Sequence, residues 1–137
     1  RVEVAAMSVG ISRAARDASL AWSKERIVGG KPLCRHQGIQ WMLAEMHAQL
    51  EAAKLVTYKA ADARDSGQRF SLESAVAKLV ASEAAAKVTD AAVQVHGGYG
   101  YISDLPIERY YRDARITRIF EGTSEIQKII IGRAITA

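Results

Sequence analysis

A glutamate stands directly before a glycine and a Thr-Ser pair in the stretch FEGTSEIQ, residues 120–127. Thr123 or Ser124 can cap a helix that follows, because a side-chain oxygen there accepts a hydrogen bond from a free backbone N–H. Glu125 would then sit in the first turn, where the helix dipole favours acidic residues. Such a cap does not require Glu121. A carboxylate among apolar neighbours becomes a stronger base, so two interpretations stay open for Glu121: part of a helix start, or a base that removes a proton.

A second candidate is the glycine-rich stretch QVHGGYGY, residues 94–101. Its glycines suit a helix end, and they also let a nucleotide lie against bare backbone. It is not a dinucleotide fingerprint, because no strand precedes it and the glycine spacing differs. Gln94 could bond ribose or phosphate oxygens, whereas a lone histidine such as His96 is more typical of packing or capping. The three histidines are dispersed along the chain, so no metal site is predicted.

The third candidate is ERIVGGKPLCRHQ, residues 25–37, which joins two predicted helices. Arg26 falls at the end of the first helix, where positive charge is favourable in any case. The planar fork of its guanidinium also matches phosphate oxygens, so a phosphate-facing role is the alternative. His36 and Gln37 begin the next helix.

The elements that would position these residues are helices. Apolar residues recur every three or four positions in residues 2–25 and again in residues 36–65, which is the spacing of one helix face. The glycines before Pro32 end the first segment, and DSGQ at residues 65–68 predicts a turn. The predicted buried face comprises Val4, Met7, Ile11, Ala14, Ala18 and Ala21 in the first segment, and Ile39, Met42, Leu43, Met46, Leu50, Ala53 and Leu55 or Val56 in the second.

A third helix is predicted from Ser71 to Val95, with Glu83 and Lys87 at the spacing of a helical ion pair. Pro106 opens a short helix, and a last helix follows from about Thr123 to Ile135, with its isoleucine run on the buried face. Apart from this β-branched isoleucine run, the sequence shows no strand pattern. The sequence therefore predicts an all-α fold, an antiparallel up-down four-helix bundle with a short extra helix.

Composition narrows the possible functions. The 137 residues carry a net charge of +4, with basic and acidic residues alternating, and a nucleic-acid partner would more often show a concentrated basic stripe. Cys34 is the only cysteine, which excludes a disulfide framework and suits a reducing compartment. No run approaches the roughly 18 apolar residues of a membrane span. A helix is predicted from the first residues, so we expect the chain to be a piece of a longer protein.

Four motifs occur in a specific order: R-x-x-x-G-K-P-L-x-x-H-Q, A-V-Q-V-H-G-G-Y-G-Y, E-R-Y-Y-R-D-A-R-I and E-G-T-S-E-I-Q. Each is weak alone, but together they resemble the C-terminal helical domain of the acyl-CoA dehydrogenase family. The resemblance covers essentially all of residues 1–137. It implies a flavoenzyme that uses FAD to oxidise an acyl-CoA thioester to the trans-2-enoyl-CoA, with electron-transfer flavoprotein as the usual electron acceptor and a homodimer or homotetramer as the assembly.

The resemblance also implies roles for particular residues. Glu121 matches the base that removes the α-proton, and its backbone N–H would polarise the thioester carbonyl. Gly122 would leave room for the substrate chain, and Arg1 matches a position near the substrate entrance. The positions that match FAD contacts, some of them across a subunit boundary, are Arg26, Ile27, Val28, His36, Gln37, Gln94, Val95, His96, Gly97, Gly98, Thr123, Ser124 and Glu125.

The chain departs from the family pattern at two positions. Gly29 stands where phenylalanine is expected, which removes an aromatic wall near the cofactor, and Val28 replaces a commonly polar residue. Family members also have an N-terminal helical domain and a middle β-domain, and we expect residues 1–137 alone to be inactive. An acyl-CoA oxidase-like relative and a non-catalytic helical scaffold remain alternatives. The expected location is a bacterial cytoplasm or the mitochondrial matrix.

Overall fold

The computed structural model describes all residues from 1 to 137 and is almost entirely helical. The predicted all-α class is confirmed, and the helix bounds agree with the sequence pattern to within one or two residues. The elements in chain order are α1 (Val2–Glu25), β1 (Ile27–Val28), β2 (Lys31–Pro32), a 3₁₀ turn (Leu33–Arg35), α2 (Gln37–Asp65), α3 (Ser71–His96), α4 (Gly98–Tyr101), α5 (Ile107–Ile116) and α6 (Ser124–Ile135).

Helix α3 lies at the centre of an antiparallel up-down bundle. It packs against α1 and α2, which also contact each other, and it carries α5 and α6 on its remaining sides. Most of its buried residues are small, six of the thirteen being alanine, and side chains of this size let neighbouring helices approach closely. The core is therefore built around one helix, whose side chains contact segments that are distant from one another in the chain.

The predicted buried face of α1 is wrong by about one position. Met7 is 42% exposed, whereas a stripe of small residues is buried instead. Each serine in the stripe can be buried because its hydroxyl donates to its own helix, as Ser12 does to the carbonyl of Ser8 at 2.8 Å. The stripe then packs against the alanines of α3. Its members are Val4, Ala5, Ser8, Ser12, Ala15, Ser19 and Ser23.

The buried face predicted for α2 is confirmed at several positions, and the one predicted for α6 is wrong. Met46, Leu50 and Ala53 are buried as predicted. Of the two alternatives Leu55 and Val56, Val56 packs against the core, whereas Leu55 is 66% exposed. On α6 the isoleucine run is not buried as predicted, since Ile129 is 47% exposed and Ile130 and Ile131 are half-buried. Helix α6 packs mainly on α3, so its isoleucine run is largely uncovered within this chain.

The glycine-rich stretches also form structure that was not predicted. Residues 27–32 form a small antiparallel hairpin, in which Val28 pairs with Lys31. The φ angles of Gly29 and Gly30 are +58° and +78°, as a tight two-residue hairpin turn requires. The ring of His36 bonds the carbonyl of Val28 at 2.9 Å and holds the hairpin against the start of α2. After α3, GYGY continues as the short helix α4 instead of an open loop.

Candidate functional site

The loop between α5 and α6 carries Glu121 in an unusual backbone conformation. Its φ of 55° is the only positive value at a non-glycine residue of the chain. Gly122 follows with φ of 93°, and a Cβ added there would lie 2.6 Å from Nε2 of Gln127. Residues in this left-handed region persist only where the surrounding structure fixes them, and they cluster at functional sites.

Helix α6 helps to hold the Glu121 loop in this conformation. The side chain of Gln127 is buried, and its Nε2 donates to the carbonyl oxygens of Gly122 at 2.9 Å and Glu121 at 3.5 Å. Thr123 caps α6 by accepting a hydrogen bond from the N–H of Ile126 at 3.3 Å, which confirms the predicted helix cap. The backbone after Glu121 is therefore bonded directly to the first turn of α6.

Helix α3 also holds the loop, through the side chain of Glu83. Its Oε1 accepts hydrogen bonds from Nε of Arg118 at 2.9 Å and from the hydroxyl of Ser124 at 2.7 Å. The predicted ion pair between Glu83 and Lys87 does not form, because the Glu83 carboxylate turns to the 118–124 loop and Lys87 stays exposed. Sequence reasoning missed this role of Glu83, whose partners lie far away along the chain.

The carboxylate and the backbone N–H of Glu121 have no hydrogen-bond partner in this arrangement. Glu121 is also exposed. The apolar surroundings expected for its carboxylate are therefore not supplied by these 137 residues. Glu121 therefore presents two groups from one fixed loop: a carboxylate, which can accept or release a proton, and an N–H, which can donate a hydrogen bond.

A second group of predicted site residues lines a groove of about 540 Å³ between the end of α1 and the end of α3. Arg26 lies in this groove together with the predicted residues Gln94, Val95, His96, Gly97 and Gly98. Gly97 has a φ of 60°, and a Cβ added at Gly97 or Gly98 would meet nothing within 4 Å. The structure thus brings together two segments that are more than sixty positions apart in the sequence.

Aromatic rings hold the positive charge of this groove in place. The ring of Trp22 stacks on His96 with centroids 5.2 Å apart. Cζ of Arg26 lies 6.0 Å from the Trp22 ring and 5.7 Å from the Tyr99 ring, within the range of cation–π attraction. Trp22 was not singled out from the sequence, although its i, i+4 spacing to Arg26 was a usable signal.

His96 contributes to packing in this groove. Its Nδ1 lies 2.8 Å from the carbonyl of Ala92, so the ring donates to its own helix. Burial lowers the pKa of His96 below its ordinary value, because the charged imidazolium is disfavoured away from water, and the bond to Ala92 opposes this only in part. The ring is therefore neutral and stacked against Trp22.

The remaining predicted residues lie outside this groove. Ile27 and Val28 are exposed on β1, and Gln37 is exposed at the first position of α2. Arg1 precedes the first residue of α1, and its Nη1 donates to the carbonyl of Ser71 at 3.5 Å. These residues do not converge with the groove or with the Glu121 loop inside one chain.

The groove and the Glu121 loop are separate places on α3. Gln94 comes eleven positions after Glu83 on this helix, which at 1.5 Å per residue is about 16 Å. Glu125 on α6 is exposed, and its pKa is lowered first by backbone hydrogen bonding and then by the hydroxyl of Thr123. A single ligand would have to be extended to reach both places.

One buried charge lies on α3 near the loop. Lys78 is fully buried, and its Nζ has no hydrogen-bond partner. Burial lowers the pKa of Lys78, and the charges of Glu83 and Glu125 raise it in opposition.

No group of three or more His, Cys, Asp or Glu side chains is arranged to hold a metal ion. No helix has the length and apolar character needed to cross a membrane.

These features define an all-α bundle domain that carries an exposed carboxylate on a fixed loop and, at a separate place along α3, a cationic, aromatic groove. A sequence profile described as "Acyl-CoA dehydrogenase, C-terminal domain" matches residues 1–136. The solved butyryl-CoA dehydrogenase of Megasphaera elsdenii superposes with a TM-score of 0.99 at 46% identity, over 100% of this chain and 36% of that one. The chain therefore belongs to the acyl-CoA dehydrogenase family and corresponds to its C-terminal domain.

Two curated relatives are similar over nearly the whole chain. The acryloyl-CoA reductase (NADH) of Anaerotignum propionicum is 50% identical over 135 residues, which are 98% of this chain and 34% of that protein. The mitochondrial short-chain specific acyl-CoA dehydrogenase of Rattus norvegicus is 47% identical over 131 residues, which are 96% of this chain and 32% of that protein. The chain spans about a third of the length of the relatives that it matches.

Proposed function

We propose that this chain is the C-terminal domain of a longer FAD-dependent acyl-CoA dehydrogenase, which oxidises an acyl-CoA to the trans-2-enoyl-CoA. The observation that carries the proposal is the state of Glu121. Its backbone is held at a φ of 55°, while its carboxylate and its N–H are both free of partners within the chain. A structural helix start needs neither feature, because Thr123 already provides the cap.

The proposed chemistry divides between the two free groups of Glu121. Its carboxylate takes the α-proton of the thioester, and its N–H donates to the carbonyl oxygen, where negative charge develops as the proton leaves. Gly122 has no side chain and leaves space for the acyl chain beside the base. FAD, when bound, supplies the acceptor for the β-hydrogen, which leaves with its electron pair as the carbon–carbon double bond forms.

The residues of the groove fit a dinucleotide such as FAD. The Arg26 guanidinium offers a bidentate donor for a phosphate group, and the two rings beside it limit its movement. Gln94 is exposed and can bond a ribose or phosphate oxygen, while Gly97 and Gly98 leave the backbone bare. On the loop, Thr123, Ser124 and Glu125 would face the flavin, although the Ser124 hydroxyl already donates to Glu83.

The separation of the two places supports a shared site between subunits. The hairpin residues and Gln37 do not meet the Glu121 loop within one chain, so a second copy would supply them, as the family resemblance implies. Large apolar side chains on α2 are exposed and would be covered in a homodimer or homotetramer; these are Trp41, Leu55 and Tyr58. Electron-transfer flavoprotein is the proposed electron acceptor.

A second candidate function is the same step in the opposite direction. The relative from Anaerotignum propionicum is named an acryloyl-CoA reductase, and its identity of 50% is as high as that of the dehydrogenases compared above. In that case Glu121 would deliver a proton to the α-carbon of a 2-enoyl-CoA. The direction that the full-length enzyme favours with NADH or with an oxidised acceptor separates the two candidates.

We further propose that residues 1–137 fold alone but have no dehydrogenase activity. Glu121 is exposed, which supports the proposal that residues 1–137 alone do not enclose the proposed base. The N-terminal helical and middle β-domains of the family would do so. Measurable turnover by the isolated chain would contradict this. The location is a bacterial cytoplasm or the mitochondrial matrix.

The proposed function is tested by anaerobic mixing of the full-length, flavin-loaded protein with a panel of acyl-CoAs. Bleaching of the flavin absorbance is expected with the substrate class of the enzyme. Glu121→Gln keeps the size of the side chain and removes the base, so its bleaching should be slower by about 100- to 10,000-fold. Glu45→Gln, an exposed glutamate on α2, is the matched control. Equal bleaching by wild type and Glu121→Gln would overturn the proposal.

A further inference from the structure

One carboxylate on α3 holds both ends of the loop that carries Glu121. Arg118 lies three residues before Glu121, and Ser124 lies three residues after it. Both donate to the same oxygen, Oε1 of Glu83, at 2.9 Å and 2.7 Å. The N–H of Ser124 also donates to the carbonyl of Arg118 at 3.1 Å, so the two ends of the loop are joined to each other.

This arrangement makes Glu83 the point that fixes the loop relative to the bundle. The backbone bond between Ser124 and Arg118 closes the loop on itself but does not attach it to α3. The bonds from Gln127 attach the loop to α6, which is itself a peripheral helix. The bonds to Glu83 are charge-assisted, and bonds of this kind are shorter and stronger than neutral ones.

The conformation of Glu121 gives this attachment a function beyond stability. A non-glycine residue at positive φ relaxes to an ordinary conformation unless its surroundings prevent it. Relaxation of φ at Glu121 would move both its carboxylate and its N–H, the two groups that the proposed reaction uses. A carboxylate that holds both ends of the loop therefore controls where the base points.

We propose that Glu83 is a positioning residue, which aims the Glu121 carboxylate and N–H at the thioester by holding Arg118 and Ser124. This inference rests on the proposed function. It concerns a residue on α3, 38 positions before the base, which does not touch the substrate. Its carboxylate acts through geometry, by accepting two hydrogen bonds at one oxygen.

The test uses the full-length, flavin-loaded protein and the rate of flavin reduction at saturating acyl-CoA. Glu83→Ala removes the acceptor. The limiting rate should then fall about 100-fold, because a displacement of about 1 Å between reacting groups can cost this much. The acyl-CoA concentration at half-maximal rate should change far less, because the substrate still binds. Glu83→Gln keeps an amide oxygen at the same place and should recover most of the lost rate.

A matched control is Glu51→Ala on α2, which removes a surface ion pair with Lys54 remote from the loop. It should leave the limiting rate unchanged. If Glu83→Ala does not retain flavin, Arg118→Met breaks one of the two bonds and should reduce the same rate by a smaller factor.

The inference is overturned if Glu83→Ala, or Arg118→Met in its place, reduces flavin at the wild-type rate per loaded molecule. It is also overturned if Glu83→Gln is as slow as Glu83→Ala, since the acceptor would then not be what matters. Failure of the proposed function gives a different result: Glu121→Gln would reduce flavin as fast as wild type, whatever Glu83 does.

Discussion

The Glu121 loop and the Arg26 groove are built in contrasting ways on the same central helix. The loop is fixed by hydrogen bonds from α3 and α6 to both of its ends, and it holds one residue in a strained conformation. The groove has no such network; its charge rests against two aromatic faces and remains open to solvent. Within this chain the placement of the proposed base is therefore fixed by internal hydrogen bonds, whereas the proposed cofactor groove is not.

The polar side chains follow the same division. Ser124 and Gln127 are buried and, with the half-buried Glu83, form the hydrogen bonds that hold the loop; Lys78 is buried on α3. In the groove the buried polar residue is His96, which bonds only its own helix. The backbone is thus held by side-chain hydrogen bonds at the proposed base, and by few such bonds at the proposed cofactor groove.

Gly122→Ala should have the largest effect of the three substitutions that probe this contrast. Its Cβ would lie 2.6 Å from Nε2 of Gln127, and its φ of 93° is strained for any side chain. Because the Gln127 amide must shift, the loop loses its bond to α6, and the limiting rate of flavin reduction should fall about 100-fold. Stopped-flow absorbance on the full-length protein measures this rate.

The matched control for that variant is Gly132→Ala on α6. An added Cβ at Gly132 meets nothing within 4 Å, and alanine is favoured over glycine inside a helix by about 0.5–1 kcal/mol. This control should raise the free energy of unfolding slightly and leave the rate unchanged. A Gly122→Ala enzyme as fast as the control would show that the loop tolerates movement.

Arg26→Met should act on the groove and spare the loop. Removing a charged donor to a phosphate costs about 2 kcal/mol, or roughly a 30-fold loss of FAD affinity. The reduction rate per loaded flavin should stay the same, because Glu121 and Glu83 are untouched. Titration of the apoprotein with FAD, followed by flavin fluorescence, measures the affinity.

Arg35→Met is the control for this variant, since Arg35 is exposed on the 3₁₀ turn and lies outside the groove. Its FAD affinity should equal that of wild type. If Arg26→Met binds FAD as tightly as Arg35→Met does, Arg26 does not contact the phosphates and the assignment of the groove is wrong.

Lys78→Met should have the smallest effect, and on stability alone. A buried ammonium without a partner is costly, so an apolar side chain of similar length should raise the free energy of unfolding by about 1 kcal/mol at pH 7. The pKa of Lys78 is lowered on folding from 10.5, so the unfolded chain binds more protons between the lowered value and 10.5. Wild type therefore gains stability as the pH rises through that window, and the advantage of Lys78→Met shrinks.

Denaturant unfolding of both proteins at neutral and alkaline pH measures this difference. An advantage of Lys78→Met that stays constant with pH would mean that Lys78 is not desolvated in the folded protein. A large loss of stability in Lys78→Met would mean that the Lys78 charge is needed, through Glu83 or Glu125.

Periodicity predicted the helices and the face of α2, because large apolar residues such as Met46 and Leu50 mark a buried side clearly. It failed on α1, because Ser8 and Ser12 are buried through their size and their bonds to their own helix, which a hydrophobic pattern does not register. The hairpin was missed because its two-residue strands are too short to show alternation.

The candidate site shows the same limit. The motif around Glu121 predicted the cap at Thr123, and family resemblance supplied the role proposed for the base. Glu83 could not be found in this way, since it pairs with residues 35 and 41 positions away and nothing local marks it. Long-range contacts of this kind depend on how helices pack, which one sequence does not display.

The central claim, that Glu121 is the base, is tested most directly by exchange of the acyl-CoA α-hydrogen with deuterium from the solvent. The full-length, flavin-loaded wild type and its Glu121→Gln variant are incubated anaerobically with the substrate acyl-CoA in deuterium oxide, and the substrate is analysed by mass spectrometry. The account predicts exchange by wild type and exchange slower by at least about 100-fold in Glu121→Gln. Equal exchange by the two proteins would contradict it, because another group would then be removing the proton.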